Sequence, residues 1–234
     1  TVSLIARGNG RSYGDASLSR ALTLETLRLN RLKHFDAQTG VIECEAGLLI
    51  SDLLDFLVPQ GWFVPVTPGT QFVTVGGAVA ADVHGKNHHL SGAFGCHVEW
   101  LDLVRSDGVT RRCSARENLD LFAATIGGMG LTGLGSWIEI QLIRVASPWI
   151  LQEALPLDSL EAGFQETGEI VLRSQRYDSK ASALMARGFL IMPPKAMPPP
   201  PPAVTRGRRG AAATRPGSAR SGRSPRARCR HRAR

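Results

Sequence analysis

Four cysteines in 234 residues are few, and they stand apart: Cys44, Cys96, Cys113 and Cys229 form no CxxC pair and no metal-type spacing. That excludes a disulfide-stapled scaffold. It predicts buried free thiols, with one disulfide left open should the protein be exported. No apolar run reaches the roughly 18 residues of a membrane span, so no transmembrane segment is expected, and no signal peptide is visible. There is no Gly-Lys-Ser/Thr, which excludes a P-loop, and no G-x-S-x-G nucleophile elbow. Acidic residues are missing from 193–234, which hold 12 Lys+Arg and leave 16 basic against 20 acidic residues in the rest of the chain. The formal charge of +8 is therefore a property of the tail, and the body is mildly acidic. No aromatic residue follows Phe189, and Pro, Arg, Ala, Gly and Ser fill 35 of the last 42 positions. Such a segment cannot bury enough apolar surface to offset its chain entropy, so residues 191–234 are predicted to be disordered. These five residue types also have GC-rich codons. The segment reads either as an out-of-frame translation of GC-rich DNA or as a basic tail for nucleic acid or acidic lipid. It has charge for phosphates but no aromatic stacking platform, so nucleic acid is not the expected partner.

What the chain does have is glycine, in three clusters. VSLIA, residues 2–6, predicts a buried strand running into RGNGRSYGD, residues 7–15. The G-x-G-x-x-x-G spacing of Gly8, Gly10 and Gly14 is one residue too long for the dinucleotide fingerprint. The loop can still present successive N–H groups to a pyrophosphate, or it is a plain turn between strands. The second cluster lies in VPVTPGTQFVTVGGAVAADVHGKNHHLSGAFG, residues 64–95. Here Pro65 and Pro68 fix the approach, and a short helix is predicted to begin at Gly76–Gly77 with exposed N–H groups suited to an anion. His84, Lys86, His88 and His89 follow. Gly85 and Asn87 break any helix that would stack His84 over His88, and no ligand set is complete, so no metal is expected. His84 and Lys86 either line a pocket and stabilise negative charge or belong to a solvated cationic loop. The third cluster is GGMGLTGLG, residues 127–135. Three such clusters at inferred element ends suggest one cofactor touched by backbone from several places.

The intervening pattern alternates strands and helices. A strand is predicted at 22–29 and a hairpin over 34–47 turning at Gln38–Gly40. A helix over 48–58 buries Leu49, Leu53, Leu54 and Leu57 and stops at Gly61. A short strand follows at 62–66. A second hairpin joins 97–104 to 109–114 around Ser106-Asp107-Gly108. A helix at 117–125 turns Leu121 and Phe122 inward, and an alternating strand covers 136–145.

Together ARGNGRSYGD, VPVTPGTQFVTVGGAVAADVHGKNHHLSGAFGCHV and LFAATIGGMGLTGLG resemble the FAD-binding half of the vanillyl-alcohol-oxidase-like flavoproteins. Within these they are most similar to the decaprenylphosphoryl-β-D-ribose 2′-oxidase group. The resemblance implies an α+β fold: a two-subdomain FAD-binding (PCMH-type) domain, incomplete, over residues 1–146. Residues 147–190 would start a truncated substrate domain, with the tail at 191–234, so the chain reads as a fragment truncated at both ends. It further implies that Ala6, Arg7, Gly8, Asn9, Gly10, Arg11, Ser12, Tyr13, Gly14, Asp15 and Ala16 hold the FAD pyrophosphate. Gly69, Thr74, Val75, Gly76 and Gly77 would contact the dinucleotide, with a backbone contact from Leu134 or Gly135. His84, Gly85, Lys86 and Asn87 would lie beside the flavin and the substrate. Lys86, His84 and Tyr13 are then the catalytic candidates. Many relatives link flavin through a His in the first loop. Arg11 stands at that position here, so non-covalent FAD is expected. The implied reaction oxidises the 2′-hydroxyl of a polyprenyl-phosphate-linked ribose to the 2′-keto sugar for cell-wall arabinan, with a partner reductase completing the epimerisation, at the cytoplasmic or periplasmic face of a bacterial envelope. Another sugar, alditol or aldonolactone is the alternative substrate. A non-catalytic fragment with a basic tail is the alternative of another class.

Overall fold

A computed structural model describes residues 3–146 together with Ser159, Glu161 and Ala162. The expectations for residues 147–190 and for the tail at 191–234 lie outside the described residues. So does the thiol expected at Cys229.

The frame is a five-stranded antiparallel sheet. Its strands are β3 (Leu32–Asp36), β4 (Val41–Glu45), β6 (Val98–Val104), β7 (Thr110–Ser114) and β8 (Leu134–Gln141), in the order β3-β4-β8-β6-β7. Both predicted hairpins form. The first turns where Asp36 accepts hydrogen bonds from Gln38 N (2.8 Å) and Thr39 Oγ1 (2.6 Å), with Gly40 in the left-handed region at φ 73°. Strand period two separates the faces. Ile42 and Cys44 of β4, Leu101 and Leu103 of β6, and Ile138 and Ile140 of β8 point to the core and are buried. Glu43, Glu45, Trp100, Asp102, Trp137 and Glu139 alternate onto the other face.

The apolar face is covered by α1 (Ile50–Leu57), α2 (Val75–Ala80) and Phe94, all in one buried cluster. In α1 the fully buried residues are Ile50, Leu53 and Leu57. Leu53 and Leu57 of the predicted stripe are buried and half-buried Leu54 packs against the core, while Leu49 is the N-cap, bridged to Thr74, and Ile50 takes its place inside. The helix tightens into a 3-10 turn at Val58–Gln60 and stops at Gly61 in the left-handed region, φ 77°. The predicted strand at 62–66 shortens to β5 (Trp62–Phe63), which pairs with β9 (Ile143–Arg144). The strand predicted at 136–145 is thus split between two sheets. The break falls at buried Leu142, whose amide donates to Gly40 O (2.7 Å).

A separate parallel pair, β1 (Leu4–Arg7) and β2 (Leu22–Glu25), carries the first glycine loop. The strand predicted to run to residue 29 ends at Glu25, because Thr26 turns back to donate twice to Arg7 O, from its amide (2.9 Å) and its hydroxyl (3.2 Å). The remaining helices are α3 (His88–Ser91) and α4 (Leu119–Thr125), the latter with Phe122 inward. Cys44 and Cys113 are buried free thiols. Burial, helped by the charges of Glu43 and Glu45, pushes the Cys44 thiol up to about 12. Among the described residues no helix is long and apolar enough to cross a membrane.

Candidate functional site

The three glycine clusters converge. A cleft runs between the β1–β2 pair and the large sheet. It is lined by Ala6, Gly8, Ser12 and Ala16 from the first loop, by Thr74, Gly76 and Gly77 at the start of α2, and by Gly130, Gly133, Leu134 and Gly135 from the third turn. Its enclosed volume is about 110 Å³, below the roughly 300–1,000 Å³ of closed ligand pockets. It is an open trough. Among the described residues no carboxylate lines it. A larger hollow of about 390 Å³ lies between α1 and residues 67–72, but only Gly69 of the sequence-predicted residues borders it and no charged side chain lines it. The trough is therefore the candidate site.

Its two glycine walls work differently, and one differs from expectation. Gly76 and Gly77 do not offer free N–H groups. The amide of Val75 donates to Leu48 O (2.8 Å), that of Gly76 to Ala46 O (2.7 Å) and that of Ala78 to Thr74 O (2.8 Å). Gly77 N donates to the N-cap hydroxyl of Thr74 (3.1 Å). What these glycines supply is the absence of a side chain. A Cβ on Gly76 would come within 2.8 Å of the Ala46 methyl, while one on Gly77 would meet only Thr74 Oγ1 at 3.0 Å and otherwise project into open space. The first loop supplies the donors instead. Among the described residues, no backbone amide from Asn9 to Gly14 donates to another group of the chain. Gly10 and Gly14 are left-handed, φ 63° and 57°, so the loop reverses direction at both.

That loop is fastened to the segment before α2. Asn9 Nδ2 donates to Phe72 O (2.9 Å), and the Arg11 guanidinium lies 5.9 Å from the centre of the Phe72 ring. Arg7 folds across Gly10 toward Ser17 Oγ (3.4 Å). Tyr13 is 98% exposed, and Gly14 and Asp15 are exposed beside it. Val75 faces the core.

The histidine loop lies just past the trough rather than in its lining. His84 pairs with Ala93 in an isolated bridge, its ring edge-on to His88 at 5.6 Å. Gly85 packs against Thr67, and Lys86 is exposed. Asn87 is a brace: its amide donates to Pro65 O (2.9 Å) and Ser91 Oγ (3.1 Å). His97 donates from Nε2 to Ser91 O (2.8 Å). Burial holds its pKa below the ordinary imidazole value, so it is neutral and keeps that bond as a donor. Among the described residues no group of three His, Cys, Asp or Glu is placed to hold a metal ion.

Sequence reading did not name Thr26, Ala46 and Thr125 in the lining, and reached Met129 only as part of the cluster at 127–135. Ala46 was findable as the small residue closing a hairpin beside Gly47. Thr125 carries no signal of its own, and only the fold brings it in.

A family model for an FAD binding domain matches residues 1–114. The chain is 46% identical over 160 residues to the decaprenylphosphoryl-β-D-ribose oxidase of Mycolicibacterium smegmatis, covering 68% of this chain and 35% of that protein. It is 27% identical over 168 residues to the L-gulonolactone oxidase of Mus musculus, covering 68% and 37%. It is 28% identical over 136 residues to the Delta(24)-sterol reductase of Homo sapiens, covering 58% and 26%. The chain thus spans well under half the length of these relatives.

Proposed function

We propose a function from one premise: through residues 1–114 the chain belongs to the FAD binding domain family. It is the cofactor-binding portion of a flavin-dependent oxidoreductase that oxidises the 2′-hydroxyl of a polyprenylphosphoryl ribose to the 2′-keto sugar. The observation that carries the cofactor half is the meeting of three glycine segments on one trough. The trough fits FAD in its chemistry: a bare backbone wall at Gly77, unengaged amides from Asn9 to Gly14, and no carboxylate facing a diphosphate. The sugar half is supported by the 46% identity to the decaprenylphosphoryl-β-D-ribose oxidase, against 27% for the gulonolactone enzyme.

When bound, FAD supplies a two-electron acceptor. The chain's own residues do the rest. The Asn9–Gly14 amides take the negative charge of the pyrophosphate, with Arg7 and Arg11 adding positive field. Gly77 lets the dinucleotide lie against α2. Beyond the end of α2, Lys86 and His84 would be the residues beside the sugar; they would stabilise the negative charge that develops on the 2′-oxygen as its proton passes to water and the C2–H electron pair to the two-electron acceptor. Arg11 has no means to link a flavin, so FAD is held without a covalent bond. A separate reductase would complete the epimerisation.

The test is anaerobic bleaching of the flavin absorbance. The FAD-loaded chain, and a complete homologue carrying the same segment, are mixed with a polyprenylphosphoryl ribose or with L-gulono-1,4-lactone. Bleaching by the ribosyl lipid and not by the lactone is expected in the homologue. Bleaching by the lactone alone would transfer the assignment to the aldonolactone class.

A further inference from the structure

We infer that Asp82 is a positioning residue, tying the His84–Lys86 loop to the α2 wall of the trough; its link to catalysis rests on the flavin reading above. Asp82 follows the C-cap of α2 and is left-handed at φ 40°, a conformation that few residues other than Gly, Asn and Asp adopt readily. The reversal is held by Asp82 N donating to Val79 O and Val83 N to Ala78 O, both 3.0 Å. It sends the chain out into the histidine loop while the carboxylate turns back. Asp82 Oδ1 accepts from Gly95 N at 2.8 Å, thirteen residues on. The loop between is closed by Phe94 N to Val83 O (2.8 Å) and by the His84–Ala93 bridge. The Asp82 carboxylate therefore grips the far end of a stitched loop from the end of α2.

The third glycine turn is bonded to the same end of α2, just before Asp82. Gly127 N donates to Val79 O (3.0 Å) and Met129 N to Ala80 O (2.8 Å), and a Cβ on Gly127 would lie 3.4 Å from the Asp82 Cβ. A side chain on Gly95 would collide with Ile126 and come 2.9 Å from Asp82 Oδ1, so the carboxylate is seated on bare backbone. Asp82 thus joins the end of α2, through its backbone, to the far end of the loop that carries His84 and Lys86, through its carboxylate. A charge-assisted bond to a backbone amide is among the stronger of its kind, and a displacement of about 1 Å is enough to cost a reaction roughly 100-fold.

Three variants separate geometry from chemistry. Asp82→Gly keeps the left-handed backbone and removes the acceptor. Asp82→Asn keeps both. Asp82→Ala loses both. Amide hydrogen exchange of the full chain, read first without FAD, is expected to quicken about tenfold or more at Gly95 and over 83–94 in Asp82→Gly. Asp82→Asn, which keeps the acceptor but not its charge, should restore most of the protection, and the strands of the large sheet should be unchanged. With FAD added, the wild type and Asp82→Asn should gain protection over 83–94, while Asp82→Gly binds FAD but gains none there. Wild-type exchange in Asp82→Gly, or failure of Asp82→Asn to rescue, would overturn the positioning role. An absence of FAD binding by the wild type would overturn the flavin reading, and the FAD-free comparison would still decide the positioning role.

Discussion

Gly76 and Gly77 are neighbours in sequence and opposites in role. Gly76 turns toward the hairpin that ends at Ala46, where a methyl would come within 2.8 Å of the Ala46 methyl and 2.9 Å of its carbonyl oxygen. Gly77 turns toward the trough, where a methyl meets a hydroxyl and then open space. Gly76→Ala should therefore destabilise the fold by about 1–3 kcal/mol through overpacking. Gly77→Ala should leave stability within about 1 kcal/mol of wild type, since alanine is the better helix residue, yet weaken FAD binding about tenfold. Thermal unfolding beside an FAD titration reads both. If Gly77→Ala binds like the wild type, the dinucleotide does not pass along α2. Sequence alone marks this pair as special but assigns it the wrong service. It cannot show that Thr74, Ala46 and Leu48 already take the amides of that turn.

The large sheet carries a second argument on its polar face. Glu45 is buried at the end of β4 and accepts from Arg31 N (2.7 Å), Nη2 (2.7 Å) and Nε (3.1 Å). The Arg31 side-chain bonds lead in holding its carboxyl below the ordinary glutamate range. Its stabilising effect is complete above that range and is lost as pH falls through it. Glu139 sits opposite Glu43 in the ladder. Burial, with the charges of Glu43 and Glu99 behind it, pushes its carboxyl up and outweighs the bond from Trp100. Its charged form opposes folding at neutral pH, and that penalty fades as pH falls. The two acids of one face thus act with opposite sign. Glu45→Gln should lower stability at pH 7 by about 1–2 kcal/mol, discounted for the exposure of Arg31, and flatten the acid limb. Glu139→Gln should raise stability at pH 7 and not at pH 4. Denaturant titrations at both pH values measure this, and a loss of stability in Glu139→Gln at pH 7 would contradict the reading. The hairpins, α1, α2 and α4 were legible at this scale because turn residues and apolar spacing are local signals. The split of the strand after Gln141 was not, since a continuous alternating run gives no sign that Ile143 and Arg144 leave for β5. Only the first member of the helix stripe was misplaced, for a related reason: Leu49 fits the spacing, but it caps the helix, and Ile50 is the buried residue there.

Across the whole molecule, one physical statement holds the account together. A sheet with one apolar face and one charged face supports α2 and the turn at 127–135, and the β1–β2 pair brings a loop of unengaged amides against them. The convergence was legible in the sequence as three glycine clusters. The position of the histidine loop was not, because its placement depends on single long-range contacts such as Asp82 to Gly95 and Asn87 to Pro65. The most direct measurement is titration of the full chain with FAD, followed by the change in flavin fluorescence, beside a Gly77→Leu variant that fills the trough. The account predicts saturable binding of one FAD per chain, released in full into the supernatant by acid precipitation, and at least a tenfold loss in Gly77→Leu. Binding that is equal in the two proteins, or flavin that stays with the acid pellet, would contradict it.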